Sequence, residues 1–286
     1  MPSRETGSLL AAALFAILAV VLFYIREDND VCCKFVVNDT LPTPTGISEA
    51  SDKLSSKASK RVNKSPTPPA KKSKPIPQRE SKRKGGALPE EVKDEATGLS
   101  LPRTKRFSKS ELVCLGVGTR AKSIAIAKVN VYSVGLYVDA KPARGALKKF
   151  AGAEPSTLKK DASLFKVLGQ AGGFTKYLHL VFARVVSAQK VVDALTSVQG
   201  VKKDVLARFS SLILDTVGKN IGKGESISLG WEGKDKMVVM VRDKLAGTVT
   251  DPALPKAVFD LYVGSDPVSP SAKAAFAEGV PPFLSS

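Results

Sequence analysis

The segment "GVGTRAKSIAIAKVNVYSVGLYVD", residues 116–139, decides how the rest of the chain is read. Small and β-branched residues fill it, which predicts buried strand structure. Two residues break that pattern: Arg120 at its head and Tyr132 in its apolar run. Ionised side chains are seldom buried unless paired. Arg120 is therefore either a surface residue or a residue facing an enclosed space that holds something acidic. Tyr137 has the opposite parity to Tyr132 along a strand, so it is the tyrosine suited to pure packing. "GVGTRA" lacks the lysine of a phosphate loop and no helical pattern follows it. Gly116, Gly118 and Gly135 therefore read as turn or close-packing residues.

Working outward, "ELVCLGVG" supplies another strand pattern just upstream. "PARGALKKFAG" and "STLKKDASLFKVLGQAGG" read as helices, and "TKYLHLVFARVV" as a strand. "SAQKVVDALTSVQG" opens on a candidate N-cap, Ser187, and sets Val191, Val192, Leu195 and Val198 on one face. "VKKDVLARFSSLILDTVG" continues helical. "ESISLGWEG", "KMVVMVRD" and "LAGTVT" read as strands, the first two joined by a hairpin turn at residues 232–235. "PALPKAVFDLYVG" and "SPSAKAAFAEG" close the chain as helices. Strands gather at both ends with helices between them. That order predicts an α+β fold with a mainly antiparallel sheet, not alternating βαβ units.

The chain has 286 residues and a formal charge of +17. Residues 1–40 carry three basic and five acidic side chains, residues 41–106 sixteen and seven, and residues 107–286 twenty-five and fifteen. Three regions follow. Residues 1–38 contain the uncharged run "GSLLAAALFAILAVVLFYI" at 7–25, which as a helix reaches about 28 Å, close to the hydrocarbon thickness. A cleaved signal peptide competes with a single-pass anchor for this run. "REDNDVCCKF" follows without a small-residue cleavage pattern, which favours the anchor. Residues 39–106, rich in Pro, Ser and Lys, read as a disordered basic linker that cannot bury enough apolar surface to offset its ordering entropy. Residues 107–286 read as the folded domain.

Beside a membrane span, the basic runs of the linker suit a solvated spacer or contact with anionic lipid. No aromatic residues are interleaved for base stacking, so nucleic acid is not an expected partner. The positive-inside rule places the linker and domain on the cytosolic, stromal or matrix side. "NDT" at Asn38 and "NKS" at Asn63 would report the opposite, luminal side by carrying glycans.

Cys32, Cys33 and Cys114 give neither a disulfide framework nor a zinc spacing, so no metal or other cofactor is expected. Cys32 and Cys33 sit where acylation is chemically open to them, or stand unmodified. His179, the single histidine, lies in an alternating strand pattern with no nucleophile elbow nearby. It reads as structural.

The opening segment, then "YLHLVFARVVSAQKVVDALTSV", then "WEGKDKMVVMVRDKLAGTVTDPALPKAVFDLYVGSDPVSPSAK" resemble the chalcone isomerase domain family, in the same order. The resemblance covers about residues 108–280 and implies an open-faced β-sandwich: a sheet covered by helices, with a ligand cleft between. The family holds true isomerases, which close a chalcone to a flavanone, and members that bind fatty acids. Arg120 occupies the position of the isomerases' arginine. Tyr132 stands where they carry threonine. Aligning "RVVSAQKVVDALTS" sets Lys190, Asp193 and Ser197 where the enzymes have tyrosine, lysine and asparagine. The fatty-acid binders keep the arginine and use a tyrosine in the following strand, and here Arg120 and Tyr132 fit that pair.

The resemblance therefore implies a non-catalytic binder of a fatty acid or related hydrophobic acid, and the run at 7–25, outside the resemblance, adds the expected membrane anchor. Arg120 and Tyr132 would hold the carboxylate, and Lys190, Val191 and Leu195 would line the pocket. The alternative is a chalcone–flavanone isomerase, an intramolecular lyase. A carboxylate at the end of an apolar pocket calls for a charge-assisted arginine fork and a second donor such as a phenol.

Overall fold

The computed structural model describes residues 89–107, 110–124 and 127–286. The expected membrane span at 7–25 and the linker up to residue 88 lie outside the described residues. Among the described residues, no helix is long and apolar enough to cross a membrane.

Three short strands come first: β1 (Glu91–Asp94), β2 (Leu99–Pro102) and β3 (Thr104–Phe107). The segment containing Arg120 and Tyr132 forms two long strands, β4 (Ser110–Ile124) and β5 (Ala127–Val138). Helices α1 (Ala140–Leu147), α2 (Pro155–Leu158) and α3 (Ala162–Leu168) follow. Then come β6 (Lys176–Phe182), β7 (Val186–Ser187), α4 (Ala188–Thr196), α5 (Lys203–Val217) and β8 (Asn220–Ile221). Strands β9 (Ser226–Glu232), β10 (Lys236–Val241) and β11 (Lys244–Thr250) precede α6 (Ala253–Val263), α7 (Pro270–Glu278) and α8 (Val280–Ser285).

Seven strands make one antiparallel sheet in the order β11-β10-β9-β6-β5-β4-β3. The expected hairpin at residues 232–235 joins β9 to β10, with Lys236 opposite Glu232. The β10–β11 turn is shorter. Arg242 and Asp243 both take positive φ, 50° and 62°, as a tight two-residue turn between twisted strands requires. Asp243 then pairs with Lys105 of β3, Nζ to Oδ2 2.9 Å. That pair joins the two ends of the strand order, so the sheet is curled.

The helices cover one face, where Val134, Leu136, Leu178, Leu180, Phe209, Ile213 and Phe259 belong to the main core. The other face carries a second cluster around Tyr137, Tyr177, Phe107 and Leu101. Strands β6, β9 and β10 are thus buried on both sides, which explains their near-continuous apolar runs. Tyr132 sits in the first cluster and Tyr137 in the second, as their opposite parity predicts.

This second cluster corrects the expected boundary at Phe107. Residues 91–106, expected within the disordered linker, instead carry β1, β2 and most of β3. Leu101 and Phe107 are buried against the sheet, and Tyr137 donates to the Pro102 carbonyl at 2.7 Å. Without these strands, two large tyrosines would face solvent. The segment is polar because it is a thin outer layer with one buried face, and that face is short.

The two glycines that open the segment serve close approach. A side chain on Gly116 would strike the backbone of Ala275, and one on Gly118 would lie 2.5 Å from the Ala272 Cα. Helix α7 therefore lies directly against β4. Ser269 caps it through the Ala272 N–H at 3.2 Å, and Ser269 and Ser271 both donate to the Thr119 carbonyl, at 2.6 and 2.8 Å. The "SDPVSPSAK" ending thereby holds the strand at the residue next to Arg120.

Candidate functional site

Arg120 and Tyr132 are Cα partners across β4 and β5, and a register shift follows between Arg120 and Ala121. Such a bulge re-aims side chains. Both residues line a cavity of about 360 Å³ between this end of the sheet and α4. Val129 and Val131 continue its wall along β5. The segment from Arg184 to Ser187 forms a second side, and the start of α4 a third. The chain after β6 is tied to the sheet by the Ala183 N–H donating to the Val131 carbonyl at 3.0 Å.

The pair next to Arg120 and Tyr132 in the ladder faces the opposite way. Thr119 and Ser133 are Cα partners, and both donate to the buried Asp94 carboxylate at 2.6 Å. Thr97 also donates to it, at 3.1 Å, and so does the Ala96 N–H, at 3.2 Å. Strand alternation thus ties one face of this strand pair to the β1–β2 hairpin and leaves the other facing the cavity.

Tyr132 is almost fully buried, and its hydroxyl lies 2.8 Å from that of Tyr262 on α6. Its ring meets Phe182 edge-on at 5.4 Å. Burial raises its pKa, and the Tyr262 bond and the Arg120 charge only partly offset this. The phenol therefore stays protonated near neutral pH and remains a donor. Arg120 is half-buried, and one of its N–H groups donates to the Ala121 carbonyl at 2.8 Å. A guanidinium carries five N–H donors, so most of its fork stays available. A cavity with a cation and a neutral phenol on facing strands, and valines beside them, suits an apolar molecule with an anionic end.

A family model described as chalcone isomerase-like matches residues 93–276, well over half of the chain. The chain belongs to the chalcone isomerase-like family. It is 26% identical over 198 residues to a protein named fatty-acid-binding protein 1 of Arabidopsis thaliana, covering 65% of this chain and 69% of that one. A crystal structure of an Arabidopsis thaliana fatty-acid-binding protein shares the fold, with a TM-score of 0.57 and 23% identity. That match covers 69% of this chain and the whole of the other. The family match starts at residue 93, within β1, so the β1–β3 layer belongs to the domain.

Within this chalcone isomerase-like domain, Arg120, Tyr132, Lys190 and Val191 meet at one cavity. Leu195 does not. It lies one helical turn beyond Val191, is 2% exposed and packs in the main core, which corrects its expected pocket role. Asp193 and Ser197 stand outside the cavity lining, and Asp193 accepts from Gln189 at 2.8 Å. Tyr262, Lys122, Arg184 and Ser187 were not foreseen at the site. A buried helical tyrosine needs a partner for its hydroxyl, so "FDLYVG" held a signal for Tyr262, though not for which partner it meets. The two cations looked like ordinary surface residues.

Other polar groups in this chalcone isomerase-like domain are structural. His179 is 3% exposed and its Nδ1 lies 2.8 Å from the Ser228 hydroxyl. Burial pushes its pKa down to about 3, with Lys105 adding to the effect, so it is neutral near pH 7. Lys176 is 1% exposed. It donates to the Gln170 carbonyl at 2.6 Å and faces the Trp231 ring at 4.4 Å. Burial pushes its pKa down to about 7.

Proposed function

We propose that this chalcone isomerase-like domain is a non-catalytic binder of a fatty acid or similar apolar carboxylate, held in the cavity between β4–β5 and α4. The observation that carries the reading is the facing of Arg120 and Tyr132 at one cavity. Arg120 supplies the charge-assisted bonds and Tyr132 the second donor. The valines of β5 and Val191 of α4 take the near part of the alkyl chain, each buried CH₂ contributing about 0.8 kcal/mol. The fatty-acid-binding relative supports this choice over catalysis. So does the placing of Asp193 and Ser197 outside the cavity lining, since an isomerase needs oriented donors for the developing enolate.

The same reading takes residues 7–25 as a single-pass anchor and the basic linker as a tether that contacts anionic lipid, with the domain on the cytosolic, stromal or matrix side. The uncharged apolar run and the basic stretch after it support this. Resistance to alkaline extraction from membranes, with no glycan on Asn38 or Asn63, is the expected outcome. Release by alkali or a glycan on Asn38 contradicts it.

The test of the binding function is extraction of the purified chain followed by mass spectrometry of the released small molecules. Fatty acids at near-stoichiometric amount are expected from the wild type and a reduced amount from Arg120→Ala. Equal recovery from both proteins contradicts the assignment of Arg120.

A further inference from the structure

We infer that the mouth of this cavity selects a single-chain lipid with a phosphate head over a plain fatty acid. This rests on the proposed lipid-binding role of the cavity and names its head group. The lining supplies Arg120, Lys122, Arg184 and Lys190, and no aspartate or glutamate. Elsewhere in the domain some cations are paired, as in Lys93 with Glu95, Lys105 with Asp243, Lys236 with Glu232 and Arg242 with Glu225. At the cavity, Arg120, Lys122 and Arg184 have no carboxylate partner among the described residues. The nine-residue helix α4 adds to this field. Its N-cap, Ser187, lines the cavity and makes no side-chain capping hydrogen bond. The Ala188 N–H donates to the Lys219 carbonyl at 2.9 Å, and the rest of the positive helix end favours an anion nearby.

A carboxylate carries one charge and two acceptor oxygens, which the Arg120 fork and Tyr132 satisfy. Lys122 and Arg184 would then remain uncompensated beside it. A phosphate monoester carries about −1.5 to −2 charges near neutral pH and three acceptor oxygens. It has acceptors for Arg120 and also for Lys122 and Arg184, which line the same cavity. The apolar wall is the same for either head group, and a cavity of about 360 Å³ has room for one alkyl chain.

The experiment is competitive titration of the full chain near neutral pH with dodecanoate, dodecyl phosphate and inorganic phosphate, all lipids below their micellar concentration. Dodecyl phosphate is expected to bind about tenfold or more tighter than dodecanoate. Inorganic phosphate is expected to compete weakly. The double variant Lys122→Gln/Arg184→Gln is expected to lower dodecyl phosphate affinity more than dodecanoate affinity and bring the ratio to about twofold or less. Both side chains are exposed, so its melting temperature serves as a control for folding.

The inference is overturned if dodecanoate binds as tightly as dodecyl phosphate, or if the double variant keeps the full preference. Inorganic phosphate binding as tightly as dodecyl phosphate also overturns it, because the ligand would then be free phosphate. Dodecanoate binding without dodecyl phosphate binding leaves the fatty-acid reading in place and removes this one. The reverse result removes the fatty-acid reading and keeps the phosphate head. If neither lipid binds, both fall.

Discussion

The Tyr132 hydroxyl on β5 lies 2.8 Å from the Tyr262 hydroxyl on α6, and both rings are buried. Two phenols carry two hydrogens, and one suffices to join them. With Tyr262 donating, the Tyr132 hydrogen is left for a ligand oxygen. Tyr132→Phe should therefore weaken fatty-acid binding by about 1–2 kcal/mol. Tyr262→Phe should cost binding less and folding stability more, about 1 kcal/mol in chemical denaturation. Tyr137→Phe should leave affinity unchanged, because Tyr137 packs on the far face of the sheet. Titration of the three variants, each with an unfolding curve, checks this. An affinity loss at Tyr262→Phe equal to that at Tyr132→Phe would contradict the order of donors.

The β1–β2 hairpin should be required for a firm domain. Asp94 is 6% exposed and accepts from Thr97, Thr119, Ser133 and the Ala96 N–H. Asp94→Ala leaves three hydroxyls without their acceptor and should destabilise by about 2–4 kcal/mol. A chain beginning at Phe107 should unfold more readily still and bind a dye for exposed apolar surface, since Tyr137 and Tyr177 lose their cover. Equal stability of the two chain lengths in urea contradicts this account of β1–β3.

These two cases mark how far the sequence could be read. The β4–β5 segment announced itself because its parity and composition are local properties, and Arg120 and Tyr132 stood out there as polar residues in an apolar run. Residues 91–106 look like linker in the sequence because their apolar content is only one face of three short strands, and the cover they give to Tyr137 and Tyr177 is a long-range fact. Leu195 was placed in the pocket because helical periodicity sets it beside Val191. Periodicity gives the face of a helix, not the point along it where a cavity ends. Lys122 follows Arg120 by two residues on β4 and shares its face by strand alternation, whereas Tyr262 meets Tyr132, and Arg184 the cavity, through long-range packing that no local pattern encodes.

Stability should depend on pH in two windows. The folded pKa of Lys176, about 7, lies below its ordinary value of 10.5. The unfolded chain therefore binds the extra proton between those values, and stability rises as pH rises from about 7 towards 10. His179, at about 3 against 6.5, acts likewise, so stability falls as pH drops below about 6.5. The aromatic faces around Lys176 favour its charged form and reduce the first effect. Lys176→Met should raise stability near pH 7 by about 1–3 kcal/mol and flatten the alkaline rise. Unfolding curves across the two windows give the measurement. A Lys176→Met chain that is weaker than wild type at pH 7 would show that the ring cage holds the ammonium more firmly than burial opposes it.

The wild-type domain should not cyclise chalcones above the buffer rate. Asp193 stands on the exposed side of α4 in a bond with Gln189, and His179 is sealed in the sheet. Among the described residues, the cavity lining holds no carboxylate or imidazole beside Arg120 to act as general base. Following chalcone absorbance tests this, and turnover that disappears in Arg120→Ala would favour the isomerase.

The central claim is that Arg120 anchors a carboxylate. Its most direct test is titration of wild type and Arg120→Ala with a long-chain fatty acid and with its methyl ester. The account predicts that wild type prefers the acid. It further predicts that Arg120→Ala loses about 2–4 kcal/mol for the acid, roughly 30- to 1000-fold, and little for the ester. Equal binding of acid and ester by wild type, or undiminished acid binding by Arg120→Ala, would contradict it.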